Sequence, residues 1–247
     1  MSVTIVTGGG RGIGAACVRR LAAAGHAVAV NYRSDADSAA RVVDEVTAGG
    51  GRAVAIQADI TDAAQVEQLF AAAHSELGAP TGLVNNAGVT AHIGDLAETP
   101  VDVIRRVLDI NLCGAILCAR QAAIAMSTSR GGAGGLIVNI SSAAATLGSP
   151  HEYVHYAAAK AGVDALTIGL SKELAAEGIR VNTVAPGLIR TTIHADAGDP
   201  DRLERVQSRV PMGHAGDVDD VASAVCWLFS EGATYLTGTV IRVSGGL

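Results

Sequence analysis

The stretch Val3-Thr4-Ile5-Val6-Thr7-Gly8-Gly9-Gly10-Arg11-Gly12-Ile13-Gly14 decides how the chain folds. Its first four residues are an apolar, β-branched run suited to a buried strand. An alanine-rich segment suited to a helix follows the glycines through Ala24. Strand, glycine turn and helix in that order make a phosphate-binding layout: glycines let backbone N–H groups approach a pyrophosphate closely, and the positive end of the helix stabilises the anion. The spacing departs from GxGxxG, because Cys17 stands where a third glycine would fall, and no Lys-Ser/Thr pair marks a P-loop.

Outward from this unit the same alternation repeats. Strands are expected at 27–31, 53–57, 82–84, 136–140, 180–185 and 240–243, and helices at 35–48, 63–77, 101–126, from Tyr156 to about Glu177, and 218–230. Residues 131–135 read as a loop before the fifth strand. Strands alternating with helices predict an α/β fold: one domain over residues 1–247, with a doubly wound parallel sheet of about seven strands flanked by helices. Ligands of such sheets bind beyond the carboxyl ends of the strands. Polar residues follow the strands there: Asn31-Tyr32-Arg33-Ser34, Asp59, Asn85-Asn86-Ala87-Gly88, Ser141-Ser142 and Pro186-Gly187.

Composition agrees with that plan. The 247 residues are 49% apolar but only 3% aromatic, so the core is built of Ala, Val, Ile and Leu, as buried parallel strands require. A formal charge of -6 without a Lys/Arg block argues against nucleic acid or an anionic membrane as partner. Residues 1–7 run straight into a strand without a basic leader, and no run of about 18 apolar residues is present, so a cytoplasmic protein is expected. Cys17, Cys113, Cys118 and Cys226 form no CxxC pair and read as reduced core residues, with no metal site.

The chemistry concentrates between Ser142 and Lys160. Ser142 follows the strand at 136–140, and Tyr156 and Lys160 stand four apart in a helical segment, one turn apart on one face. An ammonium beside a phenol favours phenolate and lowers a tyrosine pKa from about 10. That makes Tyr156 a candidate proton donor, with Ser142 placed to bond the same substrate oxygen. Tyr153 has Ala157 where Tyr156 has its lysine.

Taken together, Thr7-Gly8-x-x-x-Gly12-Ile13-Gly14, Asp59, Asn85-Asn86-Ala87-Gly88, Asn111, Ser142, Tyr156-x-x-x-Lys160 and Pro186-Gly187 make the chain resemble the short-chain dehydrogenase/reductase family along essentially its whole length. It is most similar to the 3-oxoacyl-carrier-protein reductases and glucose dehydrogenases. The resemblance implies a Rossmann fold and a reaction that interconverts a carbonyl and a secondary alcohol. It makes Tyr156 the acid/base group, with Lys160 lowering its pKa and holding the nicotinamide ribose. Ser142 would position the carbonyl, and Asn111 would anchor a proton-relaying water; an asparagine within a long helix also serves simply to bend it. It further implies phosphate contacts from Gly8, Arg11, Gly12, Ile13 and Gly14, and adenine contacts from Asp59 and Ile60. Asn86, Ala87 and Gly88 would meet the adenosine ribose, and Pro186, Gly187, Ile189 and Thr191 would frame the nicotinamide.

A ribose 2'-hydroxyl is usually met by an acid after the second strand and a 2'-phosphate by a cation. Here Asn31, Arg33 and Ser34 stand at that tip with Arg11 in the glycine loop, which favours NADP(H) over NAD(H); Asp35 and Asp37 read as the start of the next helix. By the same resemblance residues 191–212 form a substrate lid and the protein is a homotetramer, with Ala161, Ala165 and Ile168 as candidates for an outer helix face. His151, Tyr153, His155 and His194 are possible substrate contacts, none assigned to catalysis. Glu177 stands where the carrier-protein reductases have an arginine, and Arg130 is the only cation beside the other patch expected of them, so a free small carbonyl or alcohol is expected ahead of a 3-oxoacyl thioester. A non-catalytic NADP-binding regulator is the reading of another class; the four intact reactive positions speak against it. A sugar-nucleotide epimerase would need a longer C-terminal part than one ending at Leu247, and no GxSxG elbow supports a serine hydrolase.

Overall fold

Each strand of this chain carries apolar side chains on both faces, so it must be covered from both sides. A computed structural model describes residues 2–247, apart from the side chains of His194 and Asp196, so the reading of His194 as a substrate contact falls outside the described residues. Seven strands form one sheet: β1 (Val3–Val6), β2 (Ala27–Tyr32), β3 (Arg52–Gln57), β4 (Gly82–Asn85), β5 (Gly135–Ile140), β6 (Ile179–Pro186) and β7 (Val240–Val243). They run in the order β3-β2-β1-β4-β5-β6-β7 with every neighbouring pair parallel. The doubly wound α/β arrangement expected from the sequence is therefore the one observed, with strand ends within a few residues of expectation.

The helices are α1 (Gly12–Ala23), α2 (Ala36–Ala48), α3 (Ala63–Leu77), α4 (Val101–Leu108), α5 (Gly114–Met126), α6 (Ala144–Leu147), α7 (Val154–Leu174), α8 (Ile193–Asp196), α9 (Arg202–Val206) and α10 (Val218–Leu228). Val6, Val28, Val30, Val84 and Val138 pack with α1, α2 and α10 on one face. Their chain neighbours Ile5, Ala29, Leu83 and Ile137 pack with α3 and α5 on the other. Period-two alternation thus divides continuous apolar runs between two cores.

The segment expected as one helix over 101–126 is interrupted. A π turn, Asp109–Cys113, joins α4 to α5, and Gly114 N donates to the Asp109 carbonyl. Val101–Met126 is also the one stretch among the described residues long and apolar enough to cross a membrane; here Val107, Cys118, Ala122 and Met126 bury its inner face in the protein. Cys17 and Cys118 are core residues as expected, whereas Cys113 is exposed and Cys226 half-buried, and none is paired. The π turn shifts the helix phase just where Cys113 falls, a displacement that periodicity read from sequence does not carry.

Candidate active site

The sheet's direction of winding reverses between β1 and β4, and there the carboxyl ends open a crevice. A cavity of about 690 Å³ fills it. Of the residues assigned from sequence to catalysis or cofactor, all line this cavity except Gly14 and Asn111.

Gly14 acts beneath the surface. A Cβ there would lie 2.3 Å from the Gly8 carbonyl oxygen and 2.6 Å from Asn86 Nδ2, so only glycine lets α1 close against its own loop. The Thr7 hydroxyl accepts from Asn86 N at 2.9 Å and Ala87 N at 3.0 Å, and Asn86 Nδ2 donates to the Thr7 carbonyl at 2.9 Å. The loops after β1 and β4 are thereby one unit. Asn31 borders the cavity, but its side chain is occupied: Oδ1 accepts from Gly8 N at 3.3 Å and Nδ2 donates to the Ala58 carbonyl at 3.0 Å. It braces the glycine loop. At the tip of β2, Asp35 caps α2, its Oδ1 accepting from Ser38 N at 3.0 Å, as its reading as a helix start requires. Arg33 and Ser34 remain exposed on the cavity rim.

Asn111 lies in the π turn, buried, with its side chain committed to backbone. Nδ2 donates to the Val89 and Val107 carbonyls at 2.8 Å each, and Oδ1 accepts from Val89 N at 3.2 Å. It pins the loop after β4 to the helix, and its place in an irregular turn agrees with the helix-bending role. Gly88 completes that contact, since a Cβ there would sit 2.6 Å from Asn111 Oδ1.

Ser142 stands two residues beyond β5 and Tyr156 lies in the first turn of α7, and both line the cavity. Lys160 Nζ donates to the Ile140 carbonyl at 2.8 Å, and Ser141 Oγ donates to the Lys160 carbonyl at 3.1 Å. The charge balance differs from the simple expectation. Burial pushes the Tyr156 phenol above its ordinary value, Tyr153 adds to this, and the neighbouring Ser142 hydroxyl and Arg202 oppose it. Burial also pulls Lys160 down to about 8, against the neighbouring Asp164 carboxylate. Lys160 Nζ stands 5.6 Å from the Tyr156 ring centre, and for both groups burial is the largest influence.

Below these residues runs a polar ladder that the sequence reading missed. Asn85 Nδ2 donates to Asn139 Oδ1 at 3.2 Å, Asn139 Nδ2 to Thr167 Oγ1 at 2.8 Å, and Thr167 and Thr183 share a 2.7 Å hydroxyl contact. Polar residues inside otherwise apolar strands and on the inner face of α7 were the available signal. The ladder ties β4, β5, α7 and β6 together and sets the register that places Tyr156. At the substrate end Tyr153, named from sequence as a possible substrate contact, lines the cavity with Ile193, Arg202, Val206 and Arg209 of the 191–212 segment, whereas Leu147 and Glu152, which also line it, were not anticipated. His151 pairs with Asp95 at 2.8 Å outside the cavity, and His155 is buried without lining it.

A dinucleotide fits these residues. Side chains cap α2, α3 and α10, whereas among the described residues none caps α1 and no acid lies in its first turn. Its amino end therefore meets the cavity as a site for a phosphate. Arg11, Arg33 and Ser34 reach the cavity from the loops after β1 and β2, on one side of the reversal between β1 and β4, and Ser142, Tyr156 and Lys160 reach it from beyond β5 and from α7, on the other.

Comparisons with known proteins agree. The family model described as enoyl-(acyl carrier protein) reductase matches residues 8–247. An uncharacterized oxidoreductase of Escherichia coli, YgfF, is 46% identical over 246 residues, 100% of each chain. The 3-oxoacyl-[acyl-carrier-protein] reductase FabG of Staphylococcus aureus is 38% identical over 98% of this chain and 96% of its own. The crystal structure of a short chain dehydrogenase from Burkholderia cenocepacia in complex with NADP has a TM-score of 0.91 at 35% identity, covering 99% of this chain and 97% of that one.

Proposed function

The chain belongs to the short-chain dehydrogenase/reductase family, oxidoreductases acting on CH–OH groups, and from that premise we propose that it interconverts a small free carbonyl compound and its secondary alcohol with NADP(H). The observation that carries this reading is that Ser142, Tyr156 and Lys160 line one cavity with the glycine loop. When bound, the nicotinamide supplies the hydride for reduction or takes it in oxidation. Ser142 and Tyr156 hold the carbonyl oxygen, and Tyr156 gives it a proton as negative charge develops there. The resulting phenolate is stabilised by Lys160, whose ammonium the Ile140 carbonyl orients. Asn111 keeps the π turn against the Gly88-Val89 loop, and in this reading the irregular turn holds the water that resupplies the proton through Lys160.

Support for NADP(H) lies at the tip of β2, where Arg33 and Ser34 border the cavity and the Asp35 carboxylate is used as a helix cap. The family model and the Staphylococcus relative name different acyl-carrier reactions, so neither supplies a substrate. Against an acidic carrier as partner, Glu177 accepts from Ser129 N at 3.0 Å, stays ionised through its Ser129 bonds, and faces Arg130. The expected cationic patch is therefore locally neutralised. Four unpaired cysteines suit the reducing cytoplasm. Residues 191–212 serve as the lid, and the exposed α7 stripe of Ala161, Ala165 and Ile168 suits a homotetramer contact.

Oxidation of NADPH and NADH, followed by absorbance across ketones, quinones, sugars and 3-oxoacyl thioesters, tests the reading. Turnover of a free ketone, preferentially with NADPH, is expected. Silence across the panel with NADPH still tightly bound would favour the regulator instead.

A further inference from the structure

The substrate end of the cavity contains a charge arrangement that carbonyl chemistry does not require. Arg202 lies on α9, within the covering segment, yet is 7% exposed. Its Nη2 donates to Glu152 Oε2 at 2.5 Å. Its guanidinium carbon stands 5.1 Å from the centre of the Tyr153 ring, and that ring lies edge-on to Tyr156 at 5.3 Å. Arg209 approaches the other oxygen of Glu152 at 3.9 Å. Arg202, Arg209, Glu152 and Tyr153 all border the cavity.

Two features separate this cluster from a latch that merely holds the cover down. The first is charge: one carboxylate stands between two guanidiniums, leaving a positive charge in excess in a chain whose formal charge is -6. Arg205, between them in sequence, has its own acid in Asp199. Leu247 also borders the cavity, and it forms no ion pair with either arginine among the described residues. The second is an unmet donor. Arg202 Nε is buried without an acceptor, and a buried guanidinium N–H left unpaired is costly. A balanced structural pair would leave neither the extra charge nor the unused N–H.

We infer that Arg202 and Arg209 receive a carboxylate of the substrate, so that the protein acts on short oxo acids and the corresponding hydroxy acids. The inference rests on the reading of the site as a carbonyl reductase, and it adds which carbonyl compounds are preferred. A guanidinium fork matches a planar carboxylate, and a partly desolvated one binds it strongly. Arg202 is one aromatic ring from Tyr156, so a molecule with its carbonyl at Ser142 and Tyr156 reaches the arginines across a few carbons. Leu147, Ile193 and Val206 supply apolar wall for such a chain. Glu152 holds both arginines in place and sets the length of acid that fits beside it.

The test compares acetoacetate and levulinate with their methyl esters, in which the carboxylate charge is removed and the carbonyl kept. With NADPH, kcat/KM is expected to be about tenfold or more higher for the acids, chiefly through KM. Arg209→Gln, at an exposed position, and Arg202→Gln should bring the ratio of acid to ester towards one, and Arg209→Lys should keep part of it. Calorimetric titration of levulinate into the NADP-loaded protein supplies a readout independent of turnover, with binding lost in Arg209→Gln. Esters turned over as well as acids would overturn the carboxylate site while leaving the reductase reading intact. If no carbonyl compound is turned over, the reductase reading fails, and the titration still decides the site: levulinate bound through Arg209 supports it, and no binding overturns it.

Discussion

At the scale of single residues, the site depends on how burial and hydrogen bonding divide the proton between Tyr156 and Lys160. Tyr156→Phe removes the donor and leaves its ring in place. Turnover is expected to fall by at least about a hundredfold, with cofactor affinity within a factor of about three; a variant keeping most of its activity would remove Tyr156 from the mechanism. The pH dependence follows from the lysine. Its ammonium is present below its depressed pKa of about 8 and is lost above it, so kcat for reduction should decline as pH rises through about 8. Asp164 raises that pKa, and Asp164→Asn should therefore move the declining limb to lower pH. An unmoved limb in the pH–kcat profile would show that Lys160 does not set it. At the tip of β2, Arg33→Ala should raise KM for NADPH roughly tenfold and barely change that for NADH, consistent with loss of a charge-assisted bond to the 2'-phosphate. Equal effects on both cofactors would place Arg33 elsewhere.

At the scale of elements, the Tyr156 helix is placed by the ladder beneath it. Thr167 is fully buried and serves both Asn139 and Thr183. Thr167→Val conserves volume but strands both partners, at a cost of about 1–3 kcal/mol. Thermal unfolding should show it as a drop of roughly 2–4 °C per kcal/mol at this length. An unchanged midpoint would mean the ladder contributes nothing to stability. The elements themselves were legible: β-branched runs, helical spacing and glycine turns placed every strand and the principal helices. The π turn at Asp109–Cys113 was not, because local composition does not report a hydrogen bond shifted by one residue. Asn31 and Asn111 are expected from sequence to be site residues, and the structure consumes their side chains in bracing backbone, a role that depends on partners 22 to 27 residues distant in sequence.

At the scale of the whole molecule, Ala161, Ala165 and Ile168 form an exposed stripe along α7, and Ile116 is exposed on α5. Small residues with isolated isoleucines let helices from two copies approach closely and bury apolar area. Ile168→Arg places a charge in that contact and should shift the sedimentation profile to smaller species. A wild-type protein that sediments as a monomer would dismiss the assembly outright.

The amino-acid sequence by itself determined the alternation of strands and helices, the glycine turn at Thr7–Gly14 and the pairing of Tyr156 with Lys160. These are encoded within a few residues, by side-chain period, by backbone freedom and by the pitch of one helical turn. Only the tertiary structure decided which face each strand residue joins, how far burial moves the Tyr156 and Lys160 protons, and that Glu152 meets Arg202 and Arg209. Desolvation and ion pairing depend on what the rest of the chain brings alongside. In this protein the groups that meet at the substrate end come from segments 50 or more residues apart.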